Sequence, residues 1–463
     1  MSYVTRMASF AVVMAFAGAA GVAGAQVQAN DSAWELTLAP PVLLAADTSK
    51  GLAQTKIDEY GGSLGSSMDQ YDLKLTGHAE VGTTFNFDRP PGGSNGPGYV
   101  FTDKSDDPTF NQLDLKLQRP IPYSSSAFDM GFTFEMLFGS DVRFTQANGT
   151  NFYGPGYANR RTVGFFPPSS FGNVVSGVGF RGQRYPENQL DILQANVQAN
   201  LPVGRGILLT GGKMVTPFGY ETIDPTQSPF YSHSYIFSLS QPQTITGLTA
   251  SYHFTDQCWG MAGIIVGWDQ ALEDNNGTPS YILQAGYRST RDWDFVLSTI
   301  FGPEQEDNED DWRWLLNATA HWHWSAYSFG AEAVVGYESG VSASRRSLPL
   351  QGGGFGNFFI FEGDDAWWIG GAVYGGFDLD ESKRFVLQGR FEYYNDIDGA
   401  FFLDTEIFSA TVGLKITPWP NDSIAKNLMI RPEIRWDYAD DDLFDGNTRN
   451  SQFTIACDAI FRF

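Results

Sequence analysis

The chain ends in SQFTIACDAIFRF, residues 451–463, and the pattern in this stretch decides the fold. Phe453, Ile455, Cys457, Ala459, Phe461 and Phe463 share one parity. Thr454, Ala456, Asp458 and Arg462 share the other, with Ile460 the exception. Side chains alternate across a β-strand, so the stretch describes a strand with one apolar and one polar face. The apolar face needs an apolar neighbour, either a protein core or a lipid bilayer.

The same alternation recurs along the chain. YDLKLTGHAEVGTTFNF sets Leu73, Leu75, Ala79, Val81, Phe85 and Phe87 against Lys74, Thr76, His78, Glu80, Thr84 and Asn86. FDMGFTFEMLF sets Phe128, Met130, Phe132, Phe134, Met136 and Phe138 against Asp129, Thr133 and Glu135. LQANVQAN sets Leu193, Ala195, Val197 and Ala199 against Gln194, Asn196, Gln198 and Asn200. RWLLNATAHWHW, FVLQGRFEYY and LMIRPEIRWDY follow the same rule. Strands are predicted near 72–87, 110–119, 128–140, 188–200, 206–215, 244–254, 258–268, 280–288, 293–302, 312–324, 327–338, 366–377, 384–394, 406–416, 427–438 and 452–463. That makes sixteen, with fourteen or eighteen left open because 206–215 and 258–268 alternate weakly. The first strand is far longer than the globular mode of about five or six residues.

The connections alternate too. LPVGR, TDQ, STRD, SA and DLDESK are tight, whereas 141–187, 216–243, 339–365 and 439–451 are long. Short turns at one end and long loops at the other describe a transmembrane antiparallel β-barrel, all-β, of the bacterial outer-membrane type. A bilayer accepts a sheet only if it closes, because an open edge leaves backbone groups unpaired in hydrocarbon. Aromatics near strand ends (Trp322 and Trp324, Trp367 and Trp368, Tyr393 and Tyr394, Trp436 and Tyr438) suit interfacial girdles. An exported soluble all-β protein is the competing reading, but its strands should be shorter.

Composition bounds the function. The chain has 463 residues, a formal charge of −24 and 15% aromatic residues, with a mean hydropathy of −0.23. Such acidity argues against nucleic acid as a partner. It does not oppose a membrane, since the acids fall largely in loops such as EQEDNEDD at 304–311 and the cluster Asp440, Asp441, Asp442 and Asp445. Residues 1–25 read as a cleaved signal peptide: Arg6, a small apolar stretch from Met7 to Val22, then Ala23-Gly24-Ala25 before Gln26. Residues 26–70 read as a periplasmic linker or short plug, and 71–463 as the barrel. Cys258 and Cys457 fall on widely separated strands and are expected as free thiols.

From Leu201 to Leu248, LPVGRGILLTGGKMVTPFGYETIDPTQSPFYSHSYIFSLSQPQTITGL resembles the OmpL-like β-barrel porin family. The run from Gly212 to Glu221 carries most of the likeness. MGFTFEMLFGSDVRF (130–144) and FEYYNDIDGA (391–400) agree in order, and the likeness extends from about residue 72 to the end. The resemblance implies a porin-like barrel passing small solutes by diffusion; separately, no cofactor is expected. It also implies that Phe461 and Phe463 form the terminal aromatic signal read by the barrel-assembly machinery. Lipid and lipopolysaccharide would surround the barrel, and homotrimers are typical of sixteen-strand porins.

No reaction chemistry competes. Gly177-Val-Gly179-Phe-Arg-Gly182 has no strand before it or helix after it, and Gly61-Gly-Ser63-Leu-Gly65 lacks the strand of a nucleophile elbow. His321 and His323 share a strand face without a third metal ligand nearby, and the acidic clusters lack calcium-loop spacing. The lumen therefore carries the functional expectation. Pore-lining candidates are Arg390, Lys415, Arg431, Glu433, Arg435, Arg313, Lys213, Glu80, Asp114 and Glu135, which would set selectivity or merely pair across strands. The connection 141–187, with Arg160, Arg161, Arg181 and Arg184, is the preferred candidate to fold inward and narrow the channel, with an external cap as the other reading. A water-filled porin for small hydrophilic solutes or ions is the leading function. An adhesive or structural barrel using its acidic loops is the second reading.

Overall fold

A computed structural model describes residues 51–60, 63–90, 93–121, 127–150, 186–289, 292–341, 343–349, 355–401 and 403–463. The signal-peptide reading, Arg160, Arg161, Arg181, Arg184 and the glycine motif at 177–182 lie outside these residues. Two short helices, α1 (Leu52–Tyr60) and α2 (Ser63–Gln70), precede the sheet. No helix among the described residues is long and apolar enough to cross a membrane.

The barrel strands are β1 (Lys74–Asn86), β2 (Thr109–Arg119), β3 (Asp129–Gly139), β4 (Gln189–Leu201), β5 (Ile207–Val215), β6 (Thr244–His253), β7 (Cys258–Ile265) and β8 (Ser280–Arg288). They continue with β9 (Trp293–Gln305), β10 (Asn308–Trp324) and β11 (Tyr327–Glu338). β12 (Ala343–Pro349) and β13 (Phe355–Phe361) pair with each other as a separate hairpin between β11 and β14. The wall is completed by β14 (Ala366–Asp378), β15 (Phe385–Asp396), β16 (Glu406–Ile416), β17 (Leu428–Ala439) and β18 (Ser451–Arg462). The sixteen wall strands close into one antiparallel barrel in which every strand pairs with its sequence neighbours in the wall.

β1 closes the ring against β18, with His78 opposite Arg462 and Asn86 opposite Thr454. Phe463 extends the seam: its N–H donates to the Gly77 carbonyl and its carbonyl accepts from the Gly77 N–H, both at 2.9 Å. On β18 the apolar parity faces out, leaving Phe453 and Ile455 each 38% exposed, while Thr454 and Asp458 are buried inside. Lipid is the environment that suits such an exterior. Ile460, the exception, is buried on the inner face opposite Met429 of β17.

The outer wall carries an aromatic belt near the short turns, where Trp293, Trp322, Phe329, Tyr327 and Phe377 stack in sequence across four strands. Two of the expected girdle residues differ: Trp368 and Tyr394 are fully buried inside the barrel. Each adjoins an outward aromatic in the chain, so only one of each pair can face lipid. EQEDNEDD also differs from a loop. β9 and β10 run through it to a two-residue turn at Glu306-Asp307, where Asp307 takes a left-handed φ of 55°.

Leu193 departs from its expected side. A bulge in the β3–β4 ladder at Glu135/Met136 gives β4 an extra residue, and Leu193 turns inward among Leu137, Val142 and Phe144. The weak alternation of β5 and β7 has a related cause. Their inner faces carry Met214, Trp259, Met261 and Ile265, because protein rather than water covers them.

Candidate constriction of the barrel

The β5–β6 connection, residues 216–243, folds into the barrel, and nearly all of it is buried. It contains α3 (Tyr235–Leu239), preceded by Ser234, whose side-chain oxygen accepts from the Phe237 N–H. Its composition suits burial, with Pro217, Phe218, Tyr220, Phe230, Tyr231, Tyr235, Ile236, Phe237 and Leu239 against only Glu221 and Asp224 as acids. The wall makes room with glycine. A Cβ on Gly82 would stand 2.4 Å from the Tyr231 ring, and one on Gly330 would stand 2.1 Å from Tyr220.

A ladder of inward-facing charges on β15 and β17 holds the segment. Arg390 donates to Glu221 at 2.7 Å and to the Ser232 carbonyl at 2.8 Å. Arg431 donates to the carbonyls of Pro225 and Ser228, both at 2.8 Å, while pairing with Asp458 and with Glu80 at 3.3 Å. Arg435 donates to the His233 carbonyl at 2.7 Å and to Asp437 at 2.9 Å, and lies over the rings of Tyr99 and Tyr235. Two carboxylates receive the backbone. Glu433 accepts the N–H groups of Tyr231 and Ser232, and Glu392 accepts those of Tyr235 and Ile236. A carboxylate at these first helical N–H groups satisfies donors that a helix start leaves open.

Glu221 is the centre of this set. Besides Arg390 it accepts from the Tyr374 hydroxyl at 3.1 Å and the Ser234 N–H at 2.9 Å, and lies 3.0 Å from Nδ1 of His233. Burial alone would raise its carboxyl, but Arg390 and His233 outweigh that and hold it at about 2. Burial pushes the His233 ring down, against the pull of Glu221, so it meets the carboxylate as a neutral imidazole donating from Nδ1.

Other loops add to the packing. Tyr99 bonds Asp437, and Arg143 grips Asp103 with contacts at 2.7 and 3.0 Å. Phe101 meets the rings of His233, Phe144 and Phe237 edge-on. The interior is therefore a second core as well as a lumen.

Of the residues singled out in the sequence, Arg390, Arg431, Glu433, Arg435 and Glu80 converge on this segment. Lys213 pairs instead with Asp191 at 3.0 Å, and Arg313 with Glu338 at 2.7 Å beside the Trp268 ring. Glu135 pairs with Lys116 at 3.1 Å, and Asp114 lies 3.9 Å from His78. Lys415 faces inward, opposite Val386 of β15. His321 and His323 adjoin on β10, and no cluster of three or more metal-ligating side chains exists among the described residues. Glu221, Glu392 and the whole inward segment escaped the sequence reading. The available signal was composition, since 216–243 is rich in aromatic residues and carries no Lys or Arg, whereas 141–187, 339–365 and 439–451 each carry arginine.

Residues 72–463 match the family model described as "Putative beta-barrel porin-2, OmpL-like". Comparison with curated proteins returns no match. Among solved structures, the outer membrane channel DcaP of Acinetobacter baumannii is 10% identical, with 84% of this chain and 97% of that one covered and a TM-score of 0.48. The anion-selective porin from Comamonas acidovorans is 8% identical over 84% of this chain and 99% of its own, also at 0.48. OmpT of Vibrio cholerae, as expressed in the outer membrane, is 9% identical over 84% and 97%, at 0.44.

Proposed function

We propose, from the premise that this chain belongs to the OmpL-like putative β-barrel porin-2 family, that it is an outer-membrane porin passing small hydrophilic solutes by passive diffusion. The observation that carries this is a closed sixteen-stranded wall, apolar outside and polar inside, with the segment 216–243 docked in its interior. A wall of this kind needs lipid around it, and an inward segment narrows the passage that the wall encloses. The family does not favour the adhesive reading. It describes a channel, and we infer no catalytic role.

We further infer that residues 1–25 are removed after export and that Phe461 and Phe463 direct assembly. Lipopolysaccharide at the outer rim and a homotrimer in the membrane complete the reading. Arg390, Arg431, Arg435, Glu433 and Glu80 act here by positioning the inward segment, since their charged groups are buried and paired. Lys415, inward-facing and half-buried, is the candidate for direct contact with permeating ions.

Single-channel recording in planar bilayers tests the function. Stepwise openings from folded protein are expected, and silence from protein with an intact barrel would refute the porin. Reversal potential in a salt gradient tests the ladder, wild type against Arg431→Ala/Arg435→Ala. An unchanged potential would remove both from any role in selectivity.

A further inference from the structure

The seam between β1 and β18 continues past the pairing of the two strands. Gly77 exchanges both of its backbone hydrogen bonds with Phe463, the last pair of the ladder at this end. In an antiparallel ladder the N–H groups aimed at one neighbour recur at every second residue. Those of Leu75 and Leu73 therefore point to the same side as that of Gly77. Among the described residues β18 offers neither of them an acceptor. The two helices that precede β1 supply the acceptors instead. The Leu75 N–H donates to Oε1 of Gln54 in α1 at 3.1 Å, and the Leu73 N–H donates to the Met68 carbonyl of α2 at 2.8 Å. Three successive seam-side donors are thus met by β18, α1 and α2 in turn.

α1 is seated closely on this joint. Gln54 is 0% exposed, and Met68 is buried as well. The Gly51 carbonyl accepts the Thr55 N–H at the start of α1. A Cβ on Gly51 would stand 2.9 Å from the Phe463 carbonyl oxygen and 3.2 Å from that of Leu75, so the approach depends on glycine. α1 and α2 have nine and eight residues, too few to hold a helix in water by themselves. Their order comes from what they dock on, which is each other, β1 and the end of β18. The joint is also unlike the others in the wall. Every other pair of wall strands is consecutive in the ring of the sequence and tied by a connection, whereas β1 and β18 come together from opposite ends of the barrel sequence.

We propose that α1 and α2 form a latch on the barrel seam. Gln54 takes a strand-partner position beside Leu75 and Gly51 closes over Phe463, so the helices order when β18 is seated and in turn hold it there. Residues 51–70 then act as part of the wall's closure, neither a linker nor a plug. The latch works in the same way whatever solute the barrel passes.

Hydrogen–deuterium exchange, read by mass spectrometry on full-length protein refolded in detergent, tests the latch. In wild type, residues 52–60 are expected to exchange about tenfold or more slowly than the same segment as a free peptide. Exchange at the free-peptide rate would overturn the latch outright. Gln54→Leu keeps the bulk and removes the acceptor, while Gly51→Ala presses on the Phe463 carbonyl with the acceptor in place. Each should speed exchange in residues 457–463 about tenfold, the worth of one buried hydrogen bond, and leave β6 to β9 unchanged. Coupling between two sites is reciprocal, so deleting Phe463 should strip the protection from 52–60. If 457–463 is unaffected by both substitutions, or if 52–60 stays protected without Phe463, the helices rest on the barrel without holding it and the latch is wrong. Acceleration spread evenly around the wall would overturn it too, as general destabilisation. The comparison with the free peptide needs only wild type, so a substitution that blocks folding does not shelter the proposal.

Discussion

Arg390 of β15 and Glu221 of the inward segment meet at 2.7 Å, with side chains 0% and 1% exposed, across 169 residues of sequence. A buried pair like this contributes position more than net stability, because desolvation offsets much of its Coulomb gain. Removing one partner is a different matter, since the other is left buried without compensation.

Arg390→Ala is therefore expected to weaken docking of 216–243 by about 3–5 kcal/mol, while the wall strands keep their pairing. Mean single-channel conductance should rise and open-state noise with it. Heat-modifiable migration on gels should persist. Unchanged conductance in a folded variant would show that the segment stays in place without its central arginine.

Acid should loosen the same attachment. The Glu221 carboxyl, ordinarily at 4.5, is held at about 2 when docked, so docking favours the ionised form. The contribution is complete above 4.5, declines as pH falls between 4.5 and 2, and is absent below. Conductance followed downward through that window should climb in wild type. Glu221→Gln should be high from the outset and should lose that part of the pH response. A parallel response in both would assign the effect to another group.

Gly82→Ala tests the socket for Tyr231. The added methyl would stand 2.4 Å from the ring, and overpacking of this kind costs about 1–3 kcal/mol. The expected result is faster cleavage of 216–243 by added protease with the barrel still closed. Cleavage at the wild-type rate would mean that the ring has another place to go.

Deleting Phe463 tests the ending of the chain. It removes a pair of 2.9 Å hydrogen bonds to Gly77 and the ring that lies against that glycine. If the residue also carries the assembly signal, the folded fraction in the outer membrane should fall several-fold, while refolding in detergent should change little. Equal losses in both settings would assign Phe463 a purely structural role.

The wall was legible because each of its strands repeats a pattern of period two that survives without knowledge of the partner strand. Phe453, Ile455, Arg431 and Arg435 could be assigned to a side from their parity alone. Leu193 could not, since a bulge changes parity by one residue and leaves no mark in composition. Trp368 and Tyr394 were unreadable for a similar reason, each standing beside another aromatic of opposite parity. The docked segment was hidden more deeply. Its anchors Glu392, Arg431 and Glu433 follow it by more than 150 residues, and the carbonyls that Arg431 seeks have no sequence signature. The inward arginines stated a demand for acceptors without saying where these would come from.

The β1–β18 seam has a consequence for the order of events in assembly. The first strand waits for the last residues of the chain, and the segment between β5 and β6 waits for β15 and β17. Closing the ring and filling its interior thus depend on the same late-arriving sixth of the polypeptide, from β15 onward. Contacts of such long sequence separation are slow to form. Until they do, the early strands hold an unpaired edge and an unfilled inner face at once. A chain lacking its final four strands should therefore yield neither a smaller channel nor an open one, but a species that needs a chaperone.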